Sequence, residues 1–338
     1  MTDAAGLALI AARQLVVDGP EAWFPLWPGD RALVREGDTV EPGTPLAERS
    51  AAARTSIVKA AAREAAELRP GDRWPPTAVS ETSRRLARDS GPPGEALFAV
   101  GGRWRVAVAE RLETVEAPAR GVVTRVETGS GLCIRLAGRA LLGRSLLGDP
   151  VRGPLEIAAA AHAELRASAI DVGRAGAILF AGSHVDGVAI TRARATGVRG
   201  IVVASLGSTV RRDLAASEHR RRAALHRSAW FGMLILDGAL RRPTAGPLAA
   251  ILEALAGHEV ALLADPPALI IDDPTVQLPM PAGDHVRVLG GPFAGREGRW
   301  LEPAPRRARG SSDVAAAIVD LGTDGRVSVP LGDLERFV

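Results

Sequence analysis

Small polar residues follow three apolar segments in the middle of the chain. They are Ser183, His184 and Asp186 after the first segment, Ser205, Ser208 and Thr209 after the second, and Asp237 after the third. Hydroxyls, an imidazole and the free amides of a helix N-terminus suit an anionic ligand, such as a phosphorylated metabolite or a nucleotide. The same residue types are common helix caps and turn residues. A small-ligand site and a local capping role therefore both stay open.

No pattern in the sequence identifies a catalytic residue or a resident cofactor. The middle segment has no G-x-G-x-x-G loop, no P-loop and no G-x-S-x-G nucleophile elbow. Cys133 is the only cysteine, which excludes intrachain disulfides and cysteine-based zinc or iron–sulfur sites. Cys133 lies in an apolar run and is expected to be buried. His219 and His226 are seven residues apart with no third ligand at metal spacing, so no metal site is expected.

Arginines concentrate in residues 206–242, which hold eight arginines and three acidic residues. The predicted basic patch consists of Arg211, Arg212, Arg220, Arg221, Arg222, Arg241 and Arg242. Such a patch contacts phosphates or an acidic partner. The alternative is a solvated helix face without a partner.

The composition describes a globular chain of two or three domains. The 338 residues are 46% hydrophobic and 24% charged, and Lys59 is the only lysine among 42 basic residues. The pI of about 10.1 reflects a net charge of only +3 in a chain without tyrosine, because few groups titrate between about pH 8 and 12. No apolar run reaches the ~18 residues of a membrane span, and Asp3 does not fit a basic signal-peptide start. A soluble cytoplasmic protein without membrane contact is expected.

The elements that must position the polar residues are alternating strands and helices in residues 151–271. Continuous apolar strands are predicted at 177–181, 200–205, 231–236 and 259–263, and helices at 186–196, 208–227 and 247–255. This alternation predicts an α/β sandwich with a parallel sheet. The carboxyl ends of parallel strands share one edge, where ligands bind in such folds.

Residues 1–150 read as a β domain of short strands and turns. The motif Gly37-Asp38-x-Val40-x-x-Gly43-x-x-Leu46 and the motif Ala117-Pro118-x-x-Gly121-x-Val123 resemble the two halves of a barrel-sandwich hybrid of the biotinyl/lipoyl type. Their order is similar to that in RnfC-type electron-transport subunits. In carriers of this type the cofactor is attached to a hairpin-tip lysine, but Lys59 lies outside both half-motifs. Neither biotin nor lipoate is therefore expected, and the lack of clustered cysteines weakens an electron-transfer role.

An insertion at about residues 50–112 separates the two half-motifs. A helix is predicted over 56–67 and a second over 80–89, followed by a hairpin of 96–100 and 103–109 around Gly101-Gly102. Tryptophans of this first domain are expected in the core or partly buried. They are Trp23, Trp27, Trp74 and Trp104.

A Pro-rich linker at 272–282 precedes a predicted five-stranded barrel at 283–338. The barrel motifs are Gly283-Asp284-x-Val286-x-Val288, Gly291-Pro292-Phe293-Ala294, Gly295-x-x-Gly298 and Val327-x-Val329-Pro330-Leu331. They resemble a KOW module, in particular the C-terminal domain of NusG. An arginine-rich loop at 305–312 departs from that pattern.

The KOW resemblance implies binding to RNA, ribosomal proteins or RNA polymerase partners. The contact face would comprise His285, Phe293, Arg296 and Trp300, with a place in the barrel core as the alternative for the two aromatic residues. Residues 271–338 carry eight basic and ten acidic residues, so a protein partner is favoured over phosphates.

Together these patterns predict a multidomain α/β plus β protein. The favoured function is a non-catalytic adaptor that docks to transcription or translation machinery through its KOW barrel, with RNA as a further partner of the arginine-rich segments. The alternatives are a small-ligand sensor or enzyme that uses the strand-end pocket, and a structural subunit of a larger assembly.

Overall fold

The computed structural model describes residues 7–26, 30–59, 69, 73–74, 94–100, 103–223, 231–309 and 312–338. Within these residues the fold is mostly β with mixed sheets. The strands are, in chain order, β1 (Ala11–Arg13), β2 (Val16–Asp18), β3 (Glu21–Pro25), β4 (Arg31–Ala32), β5 (Thr39–Val40), β6 (Pro45–Lys59), β7 (Arg73–Trp74), β8 (Gly94–Val100), β9 (Arg103–Glu116), β10 (Gly121–Glu127), β11 (Gly131–Leu136), β12 (Arg139–Leu142), β13 (Ser145–Gly148), β14 (Val151–Ile157), β15 (Glu164–Leu165), β16 (Ile178–Phe180), β17 (His184–Val185), β18 (Gly200–Ser205), β19 (Gly232–Gly238), β20 (Glu259–Ala264), β21 (Pro267–Ile271), β22 (His285–Val288), β23 (Glu297–Arg309), β24 (Ser312–Asp320), β25 (Arg326–Pro330) and β26 (Leu334–Phe337). The α-helices are α1 (Gly187–Ala195), α2 (Ser208–Ala223) and α3 (Gly246–Ala254).

The largest sheet is mixed, with the order β13-β19-β18-β16-β14-β20-β21-β12-β2. The strands β14, β16, β18 and β19 are parallel, as the alternating pattern predicts. The prediction of a parallel sheet is wrong for β20, which lies antiparallel to β14 and β21. The tight turn between β20 and β21 requires that these two strands be antiparallel, and β20 places the same hairpin antiparallel to β14. The boundary predicted between residues 150 and 151 falls inside this sheet, since β2, β12 and β13 belong to it.

The helices cover the parallel strands from both faces. Ala189 and Ile190 of α1 and Leu214 of α2 share a buried cluster with one face of the parallel strands. Leu248 and Ile251 of α3 pack in a second cluster on the other face. All three predicted helices of this segment are confirmed over their described residues.

The two half-motifs of the first segment lie against each other. Strand β5 pairs with β10, and the amide of Gly37 donates to the carbonyl of Val123 over 2.8 Å. The amide of Gly43 donates to Ala117 over 2.8 Å in the same way. Gly37 has φ near 90°, a backbone conformation that favours glycine in this turn. The predicted short strands and their turns are therefore confirmed.

The insertion contains a long antiparallel ribbon of β6 and β9, extended by β8. The prediction of a helix is wrong for residues 56–59, which belong to β6, and residues 60–68 lie outside the described part. Val58 and Trp104 are buried at the far end of this ribbon, so alternation in the strand, not a helical face, positions the apolar side chains there. The predicted hairpin of β8 and β9 is confirmed, with Val100 opposite Arg103. The helix predicted at 80–89 and the residues Gly101-Gly102 lie outside the described residues.

The C-terminal segment forms a sheet with the order β1-β26-β22-β23-β24-β25. Its five strands from residue 285 onward are confirmed, and β1 from the N-terminus joins them in parallel with β26. The core includes Val286, Trp300 and Val319. The predicted arginine-rich loop is wrong in part, because β23 and β24 pair as far as Arg309 and Ser312. A hairpin therefore replaces the loop.

Candidate functional site

The hydroxyls at the strand ends bond to the backbone of their own fold. Ser183 is buried and its Oγ donates to the carbonyl of Ala163 over 2.7 Å. Ser205 is fully buried and its Oγ donates to the carbonyl of Ser183 over 2.8 Å. These bonds satisfy hydroxyls that would otherwise be buried without a partner. Neither serine therefore presents its hydroxyl to a ligand, contrary to the small-ligand interpretation.

Of the other predicted strand-end residues, Asp186 caps a helix, whereas His184, Ser208 and Thr209 are at least partly exposed. Asp186 accepts a hydrogen bond from the Ala189 amide over 2.7 Å and is the N-cap of α1. His184 is half-buried, with Nδ1 3.2 Å from the Ser205 carbonyl oxygen. Ser208 and Thr209 are exposed in the first turn of α2. The structure brings His184 close to Gly207, just before α2, but Asp237 takes no part in this group.

Asp237 lies in a buried cluster of charges that joins three parts of the chain. Both of its carboxylate oxygens accept hydrogen bonds from Arg287 of β22, each over 3.0 Å. Arg13 of β1 donates to the same carboxylate. Arg287 also donates to Glu335 of β26 over 2.6 Å. The side chains of these four residues are exposed by 9% or less. Two guanidinium groups thus occupy the oxygens of Asp237, and its role as a ligand contact stays a prediction without support from this geometry.

The charges in this cluster reinforce each other's ionisation. Burial alone would raise the pKa of Asp237, but the hydrogen bonds and charges of Arg287 and Arg13 outweigh burial and lower that pKa. Burial would lower the pKa of Arg287, yet Asp237 and Glu335 raise it. The cluster is thus a paired contact between β1, the C-terminal sheet and β19. Such a contact fixes position and does not suit acid–base chemistry near neutral pH.

A second contact holds the C-terminal sheet against the helix α3. Glu297 of β23 accepts hydrogen bonds from the Gly246 amide at 2.9 and 3.0 Å, where the helix has no side-chain cap of its own. His285 lies with Nε2 3.0 Å from the same carboxylate. Arg242 donates to the carbonyl of Leu289 over 3.0 Å. Because a carboxylate stabilises a helix N-terminus, these bonds attach the C-terminal sheet to the α/β unit.

These contacts divide the predicted KOW contact face. His285 shares the carboxylate of Glu297 with the Gly246 amide of α3, and Trp300 is 1% exposed within the core of the C-terminal sheet. Trp300 takes the alternative place in the core, where it packs in one cluster with Val286 and Val319. Phe293 is half-buried at the turn after β22. The Arg296 side chain is 61% exposed and forms an ion pair with Asp324 over 3.0 Å.

The predicted basic patch is also divided by the fold. Arg241 pairs with Glu164 over 2.7 Å, and Arg242 turns to the barrel. Arg211 and Arg212 are exposed on α2. The side chains of Arg220, Arg221 and Arg222 lie outside the described part, although their backbone belongs to α2. The patch therefore loses two members at its C-terminal end.

Sequence reasoning missed further arginines in the segments that contain and precede the helices α1 and α2. We call the arginines of residues 166–223 the arginine layer; its members are Arg166, Arg174, Arg192, Arg194, Arg199, Arg211, Arg212, Arg220, Arg221 and Arg222. The first five precede residue 206, so they lie outside the arginine-rich range 206–242 that the sequence indicated. The signal for them is topological: α1 and α2 pack on one face of the sheet, and residues next to each helix share that face.

Among the described residues, no group of three or more His, Cys, Asp or Glu side chains is placed to hold a metal ion. No helix in the described part of the chain has the length and apolar character needed to cross a membrane. A comparison with protein-family models and curated protein sequences finds no match for this chain.

Proposed function

We propose that the chain is a non-catalytic adaptor that docks to a protein of the transcription or translation machinery through the turn of its C-terminal barrel. The observation that carries this proposal is the division of the barrel surface. One face is held against the α/β unit by Arg287 and Glu297, whereas in the turn after β22 Arg296 is exposed and Phe293 is partly buried against the core of the C-terminal sheet. The KOW resemblance supports an RNA polymerase or ribosomal protein as the partner.

The composition of the turn supports a protein partner. Aromatic and arginine side chains provide most of the binding energy in protein interfaces. A half-buried Phe293 beside an exposed Arg296 offers both within one turn. Gly291 and Gly295 hold the turn in conformations with φ near 77° and 87°. The turn is therefore shaped before binding, which lowers the entropy cost of docking.

The small-ligand alternative has less support from the geometry. The hydroxyls of Ser183 and Ser205 both donate to backbone carbonyls. The carboxylate of Asp237 accepts hydrogen bonds from two arginines. The remaining candidates are His184 and the exposed hydroxyls of Ser208 and Thr209. No hydrogen bond among the described residues joins these three side chains. An adaptor needs no such pocket, only a barrel in a fixed orientation.

Cosedimentation and affinity capture with ribosomes and RNA polymerase purified from the same organism test this proposal. The full chain is compared with a Phe293→Ala/Arg296→Glu variant and with Arg326→Glu, an exposed position on the edge strand β25. The turn variant is expected to weaken binding about tenfold or more, and Arg326→Glu less than about twofold.

Two results would overturn the proposal. The first is that the unmodified chain binds neither ribosomes nor RNA polymerase. The second is that the turn variant binds as tightly as the unmodified chain while circular dichroism shows both to be folded.

A further inference from the structure

The arginine layer concentrates positive charge in one stretch of the chain. Residues 166–223 hold ten arginines and four acidic residues, a net charge of +6, whereas the whole chain has a net charge of +3. The remaining residues therefore carry a net negative charge. A protein with so uneven a distribution presents a positive surface to its partners although its overall charge is small.

Most of the described members of the layer are free to reach a partner. Arg166, Arg199, Arg211 and Arg212 are exposed, and none forms an ion pair within the described residues. Three other members have partners: Arg174 forms an ion pair with Glu156 over 3.4 Å, Arg192 donates to the carbonyl of Ile170 over 2.6 Å, and Arg194 lies 4.6 Å from the centre of the Phe231 ring. Elsewhere the exposed arginines Arg31, Arg135 and Arg299 each pair with a carboxylate. Arg35, Arg120 and Arg326 are also exposed without an ion pair among the described residues, so the layer is distinguished by its excess of arginine over acidic residues.

The topology extends the charge over the length of two helices. Helices α1 and α2 lie on one face of the sheet and both run antiparallel to the strands that they connect, so their C-terminal ends meet at one edge. Arg192 lies in the last turn of α1, and Arg199 follows just before β18. Helix α2 has 16 residues and is therefore about 24 Å long, which spans on the order of ten phosphate charges of a duplex.

The surface lacks the anchors of a protein interface. Among the described residues from 166 to 217, the large apolar side chains that are exposed are Val172 and Val188. Protein interfaces use aromatic and other large side chains near their centre, whereas phosphate backbones need only cations. Base stacking would also require exposed aromatic rings, so the chemistry fits the sugar–phosphate backbone and not the bases.

We propose that the arginine layer binds the phosphate backbone of duplex nucleic acid without sequence preference. Arginine suits this role because its guanidinium group forms two parallel hydrogen bonds with a phosphate. The inference is independent of the barrel partner, since it uses α1, α2 and their flanking residues. The barrel turn with Phe293 and Arg296 takes no part in it.

Fluorescence anisotropy with the full chain and short labelled RNA and DNA duplexes of mixed sequence tests this inference. An Arg211→Glu/Arg212→Glu variant reverses two exposed members of the layer. The matched control is Arg35→Glu/Arg120→Glu, which makes the same change in net charge at exposed positions of the first segment. The Phe293→Ala/Arg296→Glu variant separates this surface from the barrel turn.

The unmodified chain is expected to bind a duplex with an affinity that falls steeply between about 50 and 200 mM salt. The layer variant should bind about tenfold more weakly and show a shallower salt slope, since two phosphate contacts are lost. The control and the barrel variant should change affinity less than about twofold. Preference for RNA or for DNA would identify which duplex the layer recognises, and equal binding indicates backbone contacts common to both.

Three outcomes would overturn the inference. One is that neither duplex binds at low salt. Another is that the control variant weakens binding as much as the layer variant. The third is that polyglutamate displaces the duplex as effectively, charge for charge, as unlabelled duplex does, which would indicate an acidic protein surface as the ligand. Circular dichroism and thermal melting verify that both double variants are folded.

Discussion

The carboxylate of Asp237 accepts hydrogen bonds from Arg287 and Arg13, which lie 50 and 224 residues away in the chain. Each guanidinium group is almost fully buried, and Arg287 also bonds to Glu335. The Arg287 guanidinium lies 5.3 Å from the centre of the Phe337 ring, which adds a cation–π contact. Two positive and two negative charges thus balance within one buried cluster. Removing one of them leaves a buried charge without a partner, which costs more than the pair itself contributes.

Replacement of Asp237 by asparagine is expected to lower the free energy of unfolding by about 3 kcal/mol or more, since Arg13 then lacks its carboxylate. Asp324→Asn, which breaks the exposed pair with Arg296, should cost less than about 1 kcal/mol. Urea denaturation at neutral pH measures both. If both variants lost the same free energy of unfolding, burial of the Asp237 cluster would not increase the cost of breaking its ion pairs.

The stabilisation by Asp237 depends on pH in a defined direction. Despite the effect of burial, Arg287 and Arg13 hold its pKa in the folded protein below the ordinary value of 3.8. Its contribution is therefore fully present above pH 3.8 and is lost as pH falls through the folded pKa. The difference in unfolding free energy between the unmodified chain and Asp237→Asn should stay constant above about pH 5 and shrink in acid. A difference that grows on acidification would contradict this sign.

Strands and helices show which parts of the fold local sequence determines. Apolar runs and Gly turns predicted β16, β18 and α1 well, because burial and chain reversal are local requirements. The pairing of β1 with β26, Ala11 opposite Glu335, left no local signal. A strand of three residues can join either edge of a sheet, and its partner depends on the folded surface. The same limit explains why the sequence identified Asp237 as a polar strand end but not its two arginine partners.

Gly298, which belongs to the KOW-like motif, lies where two neighbouring strands approach each other closely. A Cβ at this position would lie 2.1 Å from the backbone oxygen of Asp320 on the neighbouring strand β24. Gly298→Ala is therefore expected to lower the free energy of unfolding by about 1–3 kcal/mol, since β23 and β24 would have to separate. Gly332→Ala in the same barrel meets no atom within 4 Å and should be neutral or slightly stabilising. Chemical denaturation of both variants measures the difference, and a neutral Gly298→Ala would contradict the close strand approach.

At the scale of the whole molecule, the terminal parts of the chain are attached to the central sheet. Leu15 and Phe337 are both fully buried in the cluster that contains α3. The amide of Leu15 donates to the carbonyl of Val338 over 2.7 Å. Val276 of the Pro-rich segment packs in the same cluster. The C-terminal sheet therefore shares a core with the α/β unit, although its motifs suggest a separate module.

A shared core predicts that the barrel and the α/β sheet unfold in one transition. Hydrogen exchange of the full chain in increasing denaturant should give peptides from β22–β26 and from β16–β20 the same midpoint. Arg287→Met removes a charge from the buried cluster at β22, so it should lower the midpoint of the barrel peptides first and separate the two transitions. Arg296→Met changes an arginine of the same barrel that is exposed and should leave one transition. If barrel peptides exchange at lower denaturant already in the unmodified chain, the barrel folds as an independent module and its fixed orientation on the α/β unit, on which the adaptor proposal depends, does not hold.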